Sequence, residues 1–288
     1  MGENMEGVIT KILSDKCEIK IKEEVVTCGI RGKLKKGKLL PLVGDKVIID
    51  PINMIIEKIL PRKNELIRPK VCNVTMGLIV QSLKEPELDC NLIDKILVEL
   101  EFNHIKPVIC FTKKDLLTKD EYQNLLPILN YYGNLYPIYF NDEINKIKKI
   151  FKNEITVLIG QTGAGKSTLL NKLDPCLSLP TGEISRALSR GKHTTRHVSM
   201  LPLLGGYILD SPGFSALEFD NMKEIEIRDA FIEFEKYSCP YRDCMHTKES
   251  DCRVKDAVNK GLILNTRYDN YISFLKTAYK KGENKRRV

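Results

Sequence analysis

Apolar and polar positions alternate with a period of two through the opening stretch of the chain. Gly7-Val8-Ile9-Thr10-Lys11-Ile12, Cys17-Glu18-Ile19-Lys20-Ile21 and Val25-Val26-Thr27-Cys28 read as short strands, because β-branched side chains pack well on a pleated surface. Pro41-Leu42-Val43-Gly44-Asp45 is turn chemistry leading into the strand Lys46-Val47-Ile48-Ile49-Asp50. Several such strands close together predict a small β-barrel, with an OB-like fold as the natural candidate.

From residue 71 the rhythm changes to strand, helix, strand. Val74 to Val80 is a buried-strand run, and Leu88 to Phe102 carries Leu92, Ile93, Ile96, Leu97 and Leu100 at helical spacing. Pro107 to Phe111, Lys119 to Leu129, Leu135 to Phe140 and Ile144 to Phe151 continue the alternation up to the apolar strand Ile155-Thr156-Val157-Leu158-Ile159. This pattern predicts a parallel sheet covered by helices on both faces. After Asp220 the chain turns helical and charged, and Lys280 to Val288 forms a short basic tail. Three domains are expected: a β-barrel over 1–70, an α/β domain over 71–220 and an α-helical domain over 221–288.

The formal charge of +8 refines this division, since 1–70 carries +5, 71–220 carries −1 and 221–288 carries +4. Basic flanks around a near-neutral centre suit polyanion binding at the two ends, although lysine-rich solvated surfaces would give the same count. Within the barrel, Arg31-Gly32-Lys33-Leu34-Lys35-Lys36-Gly37-Lys38 holds five cations and no acid. It reads equally as a contact to a phosphate backbone or as a solvated hairpin tip. There is no apolar run of membrane-spanning length and no charged-then-apolar leader, so a cytoplasmic protein is expected. Its nine cysteines then read as reduced thiols, some of them on a metal.

The densest chemistry lies in Gly160-Gln161-Thr162-Gly163-Ala164-Gly165-Lys166-Ser167, followed by Thr168. This is the phosphate-gripping pattern G-x-x-x-x-G-K-[ST], and it stands between a strand and a helix as that pattern requires. Its glycines let consecutive N–H groups face phosphate oxygens, Lys166 reaches the β- and γ-phosphates, and the Ser167 hydroxyl binds Mg²⁺. Asp210-Ser211-Pro212-Gly213 follows the strand Tyr207-Ile208-Leu209 and fits a D-x-x-G sensor. Asp210 would hold Mg²⁺ through water, and the Gly213 N–H would bind the γ-phosphate. Thr112-Lys113-Lys114-Asp115 closes another strand, where a carboxylate can accept both N1–H and N2–H₂ of guanine, a pair that adenine lacks.

The order is unusual: base reader, then phosphate loop, then sensor. The same sheet can be built by a chain whose ends have been relocated, because termini lie at the surface and close together. Between loop and sensor, Thr194 and Thr195 are both eligible to contact Mg²⁺ and the γ-phosphate. Phe214 stands where a water-positioning glutamine would follow Gly213, so hydrolysis should be slow alone and need His193 or a partner. Cys239, Cys244, His246 and Cys252 bring three thiols and an imidazole into a short span, which fits a closed tetrahedral Zn²⁺ site of structural type. The helical spacing of Tyr268 to Leu275 would let that segment cover the zinc loop. The remaining cysteines read as small core residues.

Taken together, these segments resemble the ribosome small subunit-dependent GTPase A family, the YjeQ or YloQ type, over nearly the whole chain. The resemblance runs through Gly32-Lys33, Pro41 to Asp45, Leu60-Pro61-Arg62-Lys63-Asn64-Glu65-Leu66-Ile67-Arg68-Pro69, the permuted motif order, Gly191-Lys192-His193-Thr194-Thr195, Asp210 to Phe214 and the Cys/His set. It implies an N-terminal OB-fold, a circularly permuted GTPase and a zinc-binding helical domain acting on the small ribosomal subunit and its rRNA late in assembly. It further implies GTP at 112–115 and 160–168, stimulation of hydrolysis by the subunit, and a switch position for His193. Other assembly factors are further candidate partners, and a monomer without membrane attachment is expected. Thr112 stands where the family carries asparagine, and Tyr139-Phe140-Asn141-Asp142 has no Ser-Ala second base contact. Two rival readings remain: a nucleotide-gated RNA-binding checkpoint with little turnover of its own, and an ATPase with a deviant base site.

Overall fold

The structure is a computed structural model that describes residues 5–35, 39–66, 70–177, 198–210, 219 and 222–286, without the side chains of 33, 35, 210 and 279–286. It divides into two compact units, Met1–Leu78 with Asp142–Ala216, and Ile79–Asn141 with Leu217–Val288.

In the first unit the alternating N-terminal segments become β1 (Met5–Leu13), β2 (Lys16–Ile21), β3 (Glu24–Ile30), β4 (Lys46–Asp50) and β5 (Ile55–Ile59), with a single helical turn α1 (Gly32–Lys35) after β3. The strands pair in the order β1-β2-β3-β5-β4, and β1 returns to pair with β4, so the sheet closes into a five-stranded barrel. Closure places one face of every strand inside: Ile9, Cys17, Ile19, Cys28, Val47, Ile49 and Ile56 are buried together. β5 was not anticipated. It pairs in parallel with β3 and antiparallel with β4, partners that local periodicity cannot reveal.

The turn before β4 is tied to the segment that leaves β5. The Asp45 carboxylate is fully buried and accepts from Leu42 N–H at 2.7 Å and from two nitrogens of Arg62 at 2.7 and 2.8 Å. Arg62 also donates to the Leu40 carbonyl and to Glu65, each at 2.6 Å. Short strands β6 (Glu65–Leu66) and β7 (Val71–Cys72) follow. Gly44 has a φ of 95°, and a Cβ there would lie 2.0 Å from the Cys72 carbonyl oxygen, so no other residue fits where β7 crosses this turn.

The same unit carries α4 (Ile144–Ile150), β11 (Ile155–Ile159), α5 (Lys166–Leu173), β12 (Ser199–Leu203) and β13 (Gly206–Asp210). β11 and β13 are parallel, as expected for a phosphate-loop sheet. β12 departs from the expected all-parallel sheet: it forms an antiparallel hairpin with β13 and touches β1 at Lys11↔Ser199. The two-residue Leu204-Gly205 turn, with both φ angles positive, allows that hairpin.

In the second unit, the last residues of β8 (Met76–Ser82) lead to α2 (Cys90–Phe102), β9 (Lys106–Thr112), α3 (Lys119–Gly133) and β10 (Ile138–Phe140), with β9 and β10 parallel. Its C-terminal part comprises α6 (Glu224–Asp229), a 3₁₀ turn (Ile232–Lys236), α7 (Arg253–Asn259) and α8 (Asn265–Arg286). Phe231, Phe234, Val254, Tyr271 and Phe274 form an aromatic-rich core that also takes in Val98 of α2. Among the described residues no helix is long and apolar enough to cross a membrane.

Candidate nucleotide and metal sites

The strand–loop–helix expected for phosphate binding is formed. Between β11 and α5, Gly160, Gly163 and Gly165 take φ values of 145°, 81° and 88°, which only glycine adopts without strain. Gly165 is the residue from which α5 starts, so the first N–H groups of the helix open onto the loop. Ala164 and Ser167 are buried, Gln161 and Lys166 are half-buried, and Thr162, Gly163 and Thr168 are exposed. The Lys166 ammonium folds back over the loop and donates to the carbonyl oxygens of Gly160 at 2.6 Å and Gln161 at 2.7 Å. Its charge thus stands where an incoming phosphate would be met.

Burial pulls the Lys166 ammonium down to about 8. The sign of the resulting pH effect is fixed by the charges. Below about 8 the ammonium is charged and ready for polyphosphate; above it the folded protein holds a neutral amine, and a bound polyanion would draw a proton back. Nucleotide binding at pH 9 is therefore expected to take up close to one proton, with affinity falling by up to about tenfold per pH unit above 8. Calorimetric titration in two buffers of different ionisation enthalpy checks this, and no uptake at pH 9 would contradict it.

The base-reading candidate closes β9. Thr112 is buried, Lys113 has a φ of 58°, and Lys114 and Asp115 lie in an exposed 3₁₀ turn. The Lys113 ammonium donates to the Glu85 carbonyl. Lys114 stands over the rings of Tyr122 and Phe140, 4.6 and 4.7 Å from their centroids. α3 begins immediately beyond, with a reciprocal capping box between Thr118 and Glu121 and an ion pair from Glu121 to Lys84.

The four metal-ligand candidates converge. Their ligand atoms all lie within 4.8 Å of one another. Cys239 Sγ is 3.5 Å from His246 Nδ1 and 3.8 Å from Cys252 Sγ, and Cys252 Sγ is 3.4 Å from His246 Nδ1. A tetrahedral zinc ion about 2.0–2.3 Å from its ligands needs ligand–ligand edges of about 3.3–3.8 Å, and the three edges among Cys239, His246 and Cys252 match it. Burial works to raise the Cys239 thiol, but the backbone N–H groups of Val254 and Arg253 hold it below its ordinary range. Tyr268 and Tyr271 of α8 donate to the carbonyls of His246 and Met245 at 2.6 and 2.5 Å, so the helix expected to cover this loop does cover it.

His193, Thr194, Thr195 and Gly213 lie outside the described residues, as does Phe214, and Asp210 is placed only by its backbone at the end of β13. Of the other cysteines, 17, 28, 72 and 110 are buried as expected of core residues, Cys90 is half-buried and Cys176 is exposed.

The family model described as RsgA GTPase matches residues 59–220, and that described as RsgA N-terminal domain matches residues 6–54. The chain belongs to the RsgA GTPase family. As a member of that family it is a GTP hydrolase, and the family implies GTP and Mg²⁺ as its ligands. The small ribosomal subunit biogenesis GTPase RsgA of Limosilactobacillus reuteri is 44% identical over 280 residues, covering 93% of this chain and 95% of that protein. The crystal structure of YjeQ from Thermotoga maritima superposes with a TM-score of 0.84 at 32% identity, covering 96% of this chain and 99% of that one. The crystal structure of YloQ, described as a circularly permuted GTPase, gives 0.82 at 34% identity, covering 97% and 96%. The RsgA match thus spans both the barrel and the phosphate loop.

One group in this RsgA family member was not anticipated. Arg267, fully buried, binds Asp94 and Glu233, three charged residues that no motif in the sequence singles out. Only the placement of Asp94 on the apolar stripe of α2, beside Ile93, Ile96 and Leu97, hinted at it.

Proposed function

We propose that this GTPase is a cytoplasmic late assembly factor of the small ribosomal subunit, binding the subunit and its rRNA and leaving after hydrolysis. The observation that carries the reading is the likeness along almost the full chain to a relative named for small ribosomal subunit biogenesis. In this reading residues 1–70 and 221–288 are the basic arms and 71–220 the nucleotide engine, and the protein works as a monomer. Lys166 neutralises the β- and γ-phosphates, and Ser167 and Asp210 would hold Mg²⁺, which would supply further charge compensation for phosphoryl transfer. Thr194 or Thr195 and the Gly213 N–H sense the γ-phosphate, His193 orients water, and Cys239, Cys244, His246 and Cys252 hold a structural zinc ion.

Asp115 selects guanine by accepting from its N1–H and N2–H₂ edge. Asp115→Asn is expected to weaken GTP binding while improving binding of xanthosine triphosphate, whose edge is inverted. Competition binding with the two nucleotides checks this, and unchanged preference would remove Asp115 from the base site. For the assembly role, sedimentation with purified small subunits should retain the protein with a non-hydrolysable GTP analogue and release it with GDP. Equal retention with both nucleotides, or none with either, would overturn the release step.

A further inference from the structure

The fully buried charge cluster in the second unit reaches the base reader through α3. Arg267 of α8 donates to Asp94 Oδ1 on α2 at 2.7 Å and to both oxygens of Glu233, in the 3₁₀ turn, at 2.7 and 3.1 Å. Its guanidinium carbon also lies 4.4 Å from the centroid of the Phe231 ring. The carboxylates are in turn bound by two consecutive residues of α3: the Tyr132 hydroxyl donates to Asp94 at 2.7 Å, and the Tyr131 hydroxyl donates to Glu233 at 3.0 Å. Asn270 of α8 completes the shell of Asp94 at 2.7 Å.

Consecutive residues on a helix point about 100° apart. Two hydroxyls held by different members of one buried network therefore set the rotation of α3 about its axis as well as its depth. The other end of α3 begins four residues after Asp115. There the Tyr122 ring supports Lys114, and Glu121 holds Lys84 and caps the helix. A network lacking one hydroxyl would leave a buried carboxylate underbonded and let α3 shift at both ends.

We propose that Arg267 is a positioning residue for guanine recognition: through Asp94, Glu233, Tyr131 and Tyr132 it sets the turn Thr112–Asp115, so that the C-terminal module tunes base affinity without touching the base. The inference rests on the reading of Asp115 as the guanine contact. It gives a reason for a buried triad of charges where well-packed apolar side chains would be at least as stable.

The test uses the full chain and the paired substitution Tyr131→Phe with Tyr132→Phe, which keeps both rings and removes only the hydroxyls. Binding of GDP, of xanthosine diphosphate and of inorganic tripolyphosphate is measured for the unaltered protein, the pair and Asp115→Asn. The expected result is about a tenfold loss of GDP affinity in the paired variant with tripolyphosphate affinity unchanged. Parallel losses for both ligands would mean a general structural role, and unchanged GDP affinity would mean no coupling; either overturns the inference. Asp115→Asn separates the two claims. If it leaves the preference between guanine and xanthine nucleotides untouched, the base-site reading itself fails, whereas if it shifts that preference and the tyrosine pair does nothing, only the positioning role fails. Melting of both variants, followed by circular dichroism, confirms that the folded protein is being titrated.

Discussion

Replacing Cys252 with serine is expected to release about one equivalent of zinc and to unfold the C-terminal helices. Cys252 is fully buried, lies 3.4 Å from His246 Nδ1 and 3.8 Å from Cys239 Sγ, and its sulfur accepts the Lys255 N–H at the start of α7. A serine hydroxyl stays protonated and is a poor ligand for zinc, so the remaining three groups would hold the metal weakly. Structural zinc contributes on the order of 10–16 kcal/mol to small sites, far more than the short helices α6 and α7 could replace. The carbonyls of Met245 and His246, which receive Tyr271 and Tyr268, would lose their fixed positions, and the packing of α8 on the loop would go with them. Metal analysis with a thermal melt checks the outcome, using Cys176→Ser at an exposed site as the control. Retention of full metal content would show that the four residues are not its ligands.

Lys166→Ala is expected to lower GTP turnover by about a thousandfold, equivalent to about 4 kcal/mol of transition-state stabilisation. The ammonium is the one side-chain charge that the loop itself would supply to the phosphates, and it is already folded over the loop by its bonds to Gly160 and Gln161. Its removal leaves the backbone cradle and α5 in place, so overall stability should change little while polyphosphate affinity collapses. Single-turnover hydrolysis alongside GDP binding measures both effects. Turnover within threefold of the unaltered protein would place the catalytic charge elsewhere.

Much of this arrangement is legible in the chain itself, for identifiable reasons. The phosphate loop is readable because a single mechanism demands those glycines, that lysine and that serine between a strand and a helix. The Cys/His cluster is readable because few roles other than metal binding gather three cysteines and a histidine. β1 to β4 are readable because one face of each enters a closed barrel, which writes a period of two into the sequence. β12 is hidden because Pro202 interrupts its pattern, although Pro202 pairs with Tyr207 of β13 in the hairpin. The Arg267 cluster is hidden for a different reason. Composition treats Asp94, Glu233 and Arg267 as surface charges, and only the meeting of α2, the 3₁₀ turn and α8 removes them from water. The same limit explains Lys113, whose bond to the Glu85 carbonyl depends on a loop remote from it in sequence.

The most direct test of the central claim is turnover of GTP and of ATP, each measured with and without purified small ribosomal subunits. GTP hydrolysis is expected to be slow alone and strongly accelerated by the subunit, with ATP unaffected by it. Equal use of ATP, or GTP turnover indifferent to the subunit, would contradict the account.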